Sequence, residues 1–170
     1  MANSCYFQMK IVGPAKTREN VKTIMLNKDS LYRIAAQDVQ IIDDSEDEDT
    51  MEITLDGDCR WSIKSSMRSE IDAGEHKFLT LRDLSKKFEL QIEAISEEPG
   101  FEFMEHYIVN NGIEEMDECI DTSWHHFEPS EMTFDEFLDE NGLSPEEYSE
   151  SDLDDNNDIK VGGIEYDFVI

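Results

Sequence analysis

The chain predicts an α+β fold. Short runs of branched and aromatic residues with strand spacing alternate with two stretches whose apolar residues recur at helical spacing. An Asn-Gly pair also sits between two further strand-like runs. At 170 residues, with 38% hydrophobic residues, nine Phe, five Tyr and two Trp, the chain suffices for one domain with a true core plus an extension.

Residues 5–12 read as a strand because Tyr6, Phe7, Met9, Ile11 and Val12 are bulky or branched. Gly13-Pro14 ends it and starts a helix. Pro14 sits near the first helical position, and Val21, Ile24, Met25 and the stem of Lys28 form the inner stripe. Residues 32–44 are ambiguous apart from a strand at 39–42. Six acids crowd residues 43–49 and predict a loop, because close like charges do not pack. Met51, Ile53 and Leu55 alternate as in a strand. Thr80-Leu81-Arg82-Asp83 opens a second helix in a capping-box-like pattern, with Leu81, Leu84 and Phe88 as its apolar face. Residues 91–95 follow as a strand. Strand, helix, strand, strand, helix, strand is the ferredoxin-like βαββαβ order.

Two more strands, 101–109 and 113–121, flank Asn111-Gly112, a strong hairpin signal. After Phe127 strand character fades. Thr133-Phe134-Asp135-Glu136 is a capping box for a short helix with Phe134, Phe137 and Leu138 inward, and Ser144-Pro145-Glu146-Glu147 reads as a second helix start. Residues 149–158 read as acidic and mobile. Residues 162–170 alternate Ile164, Tyr166, Phe168 and Ile170 and suit docking on a sheet edge. The expected division is a ferredoxin-like domain over 1–127, hairpin included, and an acidic, partly helical C-terminal extension over 128–170.

Charge dominates the composition: 42 acids face 14 bases, for a net charge of −28. The distribution is uneven. Residues 1–42 carry six bases and three acids, whereas residues 88–159 hold 24 acids and no Lys or Arg. A halophilic surface spreads its acids everywhere, and the mildly basic start speaks against one. So acidic a stretch repels nucleic acid and anionic lipid alike, which excludes direct nucleic-acid binding and a membrane-surface role. No apolar run approaches the roughly 18 residues of a membrane span, and the first ten residues lack a signal peptide's apolar stretch. Cys5, Cys59 and Cys119 are odd in number and widely spaced, which predicts reduced thiols in a cytoplasm.

Three segments together resemble the YubB-like ferredoxin-fold family of small plasmid and phage proteins. They are the Cys5 strand ending in Gly13, the run Gly57-Asp58-Cys59-Arg60-Trp61-Ser62 before a helix, and Ser96-Glu97-Glu98-Pro99-Gly100-Phe101. The resemblance spans residues 3–122. Where the family pattern has Trp before the first Cys, this chain has Ser4. The resemblance implies a fold and a mobile-element origin, and the acidic segment after residue 127 lies outside it.

Catalytic patterns are weak. The three Cys and His76, His106, His125 and His126 form no nucleophile–base motif, although a small enzyme relying on His106 or Cys119 is one alternative. Trp61, Ile63 and Met67 have core spacing. Cys119 with His125 and His126 is not a zinc spacing, and the two possible calcium registers, from Asp152 or Asp154, each lack a required residue. No metal and no cofactor is expected.

The acids themselves carry the reading. A two-residue hairpin loop sets Glu105 opposite Glu118, Glu102 opposite Asp121 and His106 opposite Asp117. In the following helix, Asp135/Asp139 and Glu136/Glu140 are like charges at i,i+4. Such pairs oppose folding and call for a counter-charge from a partner. Alternate residues on a strand face lie about 6.6–7 Å apart, the order of successive phosphates on one nucleic-acid strand. The expected contact surface is therefore Glu114, Glu115, Asp117, Glu118, Asp121, Asp135, Glu136, Asp139 and Glu140, with Phe127, Phe134 and Phe137 as possible apolar anchors. The expected partner is a basic protein, such as a CRISPR effector or restriction nuclease in a host bacterial cytoplasm. The first alternative is a regulatory module for a basic host protein such as a histone-like protein or transcription factor.

Overall fold

The computed structural model describes residues 4–27, 30–31, 33–42, 49–67, 72–73, 76–98, 100–164 and 167–170. The sequence-predicted loop at residues 43–49 lies outside them except for Asp49. The chain divides into two compact units. One is Met1–Ile120 together with Ile164–Ile170, and the other is Asp121–Gly163. The second unit thus begins ahead of residue 128, because the chain between the hairpin and Phe127 is recruited into its small sheet.

The first unit is built on β1 (Ser4–Pro14), which pairs antiparallel with β3 (Thr50–Arg60) on one side and with β6 (Gln91–Glu98) on the other. Beyond β3 lies β2 (Ile34–Ile42), with an irregularity between Ala36 and Asp38. Beyond β6 lie β7 (Phe103–Asn110) and then β8 (Ile113–Asp121). The order is β2-β3-β1-β6-β7-β8, and the five strands from β2 to β7 pair antiparallel. Among the described residues, helix α1 (Arg18–Leu26) connects β1 to β2. A short α2 (Lys64–Met67), the two-residue strands β4 (Asp72–Ala73) and β5 (His76–Lys77), and α3 (Leu81–Phe88) lie between β3 and β6.

Local chemistry explains these elements. Pro14 precedes a 3-10 turn, Ala15–Thr17, that leads into α1. Val21 and Met25 are buried, with Ile24 packed against the core. Thr80 caps α3 reciprocally with Asp83, and Leu81 and Leu84 face inward. Period-two alternation puts Phe7, Met9, Ile11, Met51, Ile53 and Leu55 into one core with these helical residues, Ile92, Ala94, Tyr107 and Val109. β3 runs past Leu55 through Asp56, Gly57 and Asp58. Pairing on both sides outweighs the poor strand propensity of these residues.

One expectation is overturned here. Cys5 and Cys59 are direct cross-strand partners in the β1–β3 register, 0% and 1% exposed, and form a disulfide rather than reduced thiols. The sequence distance of 54 residues hides a pairing that only the strand register creates. Cys119 stands outside the bond and is exposed. Trp61 also leaves the expected core cluster: it adopts φ 74° and is exposed, while Ile63 and Met67 are buried.

The second unit pairs β9 (Ser123–His126) with β10 (Asp158–Val161) and carries α4 (Phe134–Glu140). Its core is Phe127, Phe134, Phe137, Leu138 and Ile159, with the three Phe ring centroids 5.4–5.8 Å apart. The Phe residues are therefore packed inside and not offered as anchors. Two further expectations change. Ser144 starts a single turn, closed by Glu147 and Tyr148 amides on its carbonyl, and not a helix. The stretch 149–158 is ordered: Ser149 caps a 3-10 turn, Glu150–Asp152, and Asp154 accepts from the amides of Asn156 and Asp158. Its apolar residue Leu153 packs against the core, and Ile159 inserts into it. The final segment forms no strand at residues 162–164 and 167–170.

Candidate partner-binding surface

The acids of β8 start from a fixed point. Asn111 and Gly112 both have positive φ, 49° and 79°, as a two-residue hairpin turn requires. The turn is tied down three ways. The Gly112 amide donates to Ser85 Oγ at 3.0 Å, Arg82 Nε donates to the Gly112 carbonyl at 2.8 Å, and the Asn111 amide donates to the Leu90 carbonyl at 3.0 Å.

From there Glu114, Glu115, Asp117 and Glu118 are all exposed, but they do not share one fate. Glu114 lies 3.7 Å from Arg82, and Glu115 accepts from Asn110 Nδ2 at 3.0 Å. Asp117 accepts from the Tyr107 hydroxyl and lies 2.9 Å from Lys64 Nζ. The Tyr107 hydrogen bond, then Lys64, holds the Asp117 carboxyl below its ordinary range. Asp117 in turn raises Lys64, and burial, reinforced by Asp117, drives the Tyr107 phenol well above its usual value. A carboxylate, an ammonium and a neutral phenol thus form a locally neutral trio. Of these four β8 acids, only Glu118 has no bonded partner among the described residues.

Two members of the expected cross-strand pairs, Glu105 and His106, have partners of their own. Glu105 is 3% exposed, where it accepts from Ser96 Oγ at 3.2 Å and the Lys64 amide at 3.3 Å, and burial raises its pKa against those bonds. His106 is bonded at 2.7 Å to Glu93, not to Asp117. Glu102 precedes β7 and is not a strand residue.

In the second unit, Asp121, Asp135, Glu136, Asp139 and Glu140 are exposed. Glu136 completes the α4 capping box, accepting from the Thr133 amide and hydroxyl, each at 2.9 Å, and those bonds lower its pKa. Asp121, Asp135, Asp139 and Glu140 have no cation partner among the described residues. Lys160 is the sole Lys or Arg of this unit, and burial lowers its pKa. His126 bonds Asp158 at 2.8 Å, which raises the imidazole.

The structure therefore has two acidic elements, β8, which lies in the first unit up to Ile120 and reaches the second with Asp121, and α4 in the second unit. Sequence reasoning missed Lys64, Arg82 and Tyr107 as internal counter-groups. No spacing links them to β8, since helices supply the first two and the buried face of β7 the third. Among the described residues no group of three His, Cys, Asp or Glu is placed to hold a metal ion. No helix of the described residues is long and apolar enough to cross a membrane. No family model, curated protein or solved structure matches the chain.

Proposed function

We propose that the chain is an inhibitor carried by a phage or other mobile element, and that it places ordered carboxylates in the basic nucleic-acid cleft of a host defence nuclease of the CRISPR-effector or restriction type. The observation that carries this reading is the set of exposed acids with no cation partner among the described residues: Glu118 on β8, Asp121, and Asp135, Asp139 and Glu140 on α4. The mechanism is steric and electrostatic competition with nucleic acid, with steered association and strong salt sensitivity. The first unit fits a ferredoxin-like reading of its βαββαβ segment, given the neighbours β2, β3, β1 and β6 and the helices between them. In a host cytoplasm the Cys5–Cys59 bond persists because its buried sulfurs are closed to attacking thiolates.

The test is a fourfold reversal, Glu118→Lys, Asp121→Lys, Asp139→Lys and Glu140→Lys. It is assayed by capture from bacterial lysate with mass spectrometry and by DNA cleavage with the captured nuclease. Inhibition should drop by a factor of about ten or more, within the range that charge steering supplies. Capture of a basic non-nuclease moves the reading to a regulatory module. Inhibition that survives the reversal in a folded chain ends it.

A further inference from the structure

The first sheet has helices α1 and α3 against one face, and the opposite face carries Tyr6, Gln8, Lys10, Thr54 and Asp56. On it sits a buried carboxylate that neither the core nor the acidic surface uses. Glu93, in β6, is 0% exposed. One of its oxygens lies 2.7 Å from His106 Nε2. The other accepts two consecutive backbone amides, Val169 at 2.8 Å and Ile170 at 3.0 Å. A carboxylate stays buried only when its lone pairs are met, and here half of that duty falls to Val169 and Ile170.

One residue earlier, Phe168 forms a wall of a cleft of about 280 Å³ with Gln8, Thr54, Leu55 and Asp56. The segment therefore crosses the strands, from β3 and β1 at Phe168 to β6 at Ile170. The described part of the segment does not fill its seat. A second cleft of about 380 Å³ adjoins the first, sharing Gln8 and Asp56 and continuing to Tyr6, Gly57, Ile95 and Glu97. Tyr6 at its border is 64% exposed.

We infer that this face is a peptide-binding groove in which Glu93 receives two consecutive backbone amides, and that the chain's own segment 168–170 is its displaceable occupant. The ligand class is an extended peptide with an aromatic residue followed by two aliphatic ones. Such a ligand gains a foothold in the second cleft before it displaces Phe168. The inference stands apart from nuclease inhibition, which the acids of β8 and α4 serve.

The probe is a fluorescein-labelled synthetic peptide of residues 163–170, followed by fluorescence anisotropy against the intact chain and a chain ending at Asp167. The shortened chain should bind it at least tenfold more tightly than the intact chain, whose tethered tail competes at high effective concentration. Glu93→Gln in the shortened chain should weaken binding about tenfold. Absence of binding by a folded shortened chain, or equal binding to both chains, overturns the inference. Should truncation unfold the protein, full-length Val169→Pro removes one amide and keeps the rest. Tighter peptide binding than by the intact chain then supports the groove, and unchanged binding overturns it.

Discussion

Replacing Gly112 with Ala probes how firmly the hairpin is seated on α3. The backbone there has φ +79°, and a Cβ would lie 2.8 Å from Lys86 Cβ. No rotation moves a Cβ, so α3 or the turn must shift. The turn is held by Arg82 and Ser85 of the same helix. An L-residue in the left-handed region costs about 1–2 kcal/mol, and overpacking of a tight contact adds about 1–3 kcal/mol. The expected loss is thus about 2–5 kcal/mol. Gly142→Ala is the control. Gly142 has φ +67° with nothing within 4 Å, so only the conformational part, about 1–2 kcal/mol, applies. Urea unfolding followed by tryptophan fluorescence reports each substitution in its own unit, because Trp61 lies in the first and Trp124 in the second. Equal losses for the two variants would refute the steric seating of the hairpin.

Two further predictions concern groups that the fold has moved off their solution behaviour. Cys5→Ser with Cys59→Ser should cost about 2–4 kcal/mol in the same unfolding assay, and iodoacetamide should modify one thiol, Cys119, in the native parent chain. Glu105→Gln and Asp117→Asn should show opposite signs with pH. Burial raises Glu105 in the folded chain above its ordinary 4.5, so its ionised form destabilises the fold at neutral pH. The Gln variant should be the more stable at pH 7, with the advantage shrinking as pH falls through the raised value and gone below about 4.5. Asp117 is depressed below 3.8, so its contribution is complete above that value and disappears as pH falls through the folded value. The Asn variant should be less stable at pH 7 and equal to the parent in strong acid, as read from thermal unfolding between pH 2 and 7.

Much of the fold was legible because local signals and packing agree. The capping boxes at Thr80 and Thr133 and the turn at Asn111-Gly112 are chemical devices with fixed spacing, and all three form. Signals that depend on distant partners were not legible. The alternation of Met51, Ile53 and Leu55 marks a strand, but its continuation through Gly57 follows from β1 and β2 pairing on either side. Cys5 meets Cys59 only through that register. The stretch 149–158 reads as solvated by composition. Its order comes from backbone amides captured by Asp152 and Asp154 and from Leu153 and Ile159 reaching a core that charge counting ignores. At the surface, residue type predicted exposure of all nine acids. It did not predict that Lys64 and Arg82 would reach two of them.

How each unit manages its acids decides where unspent charge resides. In the first unit, Lys10 meets Glu52, Lys64 meets Asp117 and Arg82 meets Glu114, so part of its negative charge is cancelled by cations. The second unit has a single Lys and no Arg. Its acids are held instead by hydrogen-bond donors: Glu136 by Thr133, Asp152 by Ser149, and Asp154 by the amides of Asn156 and Asp158, each with its pKa lowered. A neutral donor keeps a carboxylate ionised and in place but cancels none of its charge. The same bonds that order this stretch therefore preserve its field. A solubility tail requires only net charge, which disorder supplies as well as order does. Carboxylates fixed by caps and turns, and left without cations, present a defined pattern. In α4 the cap fixes Glu136, and the exposed Asp135, Asp139 and Glu140 beside it have no cation partner among the described residues, so this helix carries more of the proposed recognition than the better-neutralised acids of β8, among which Glu118 is the exception.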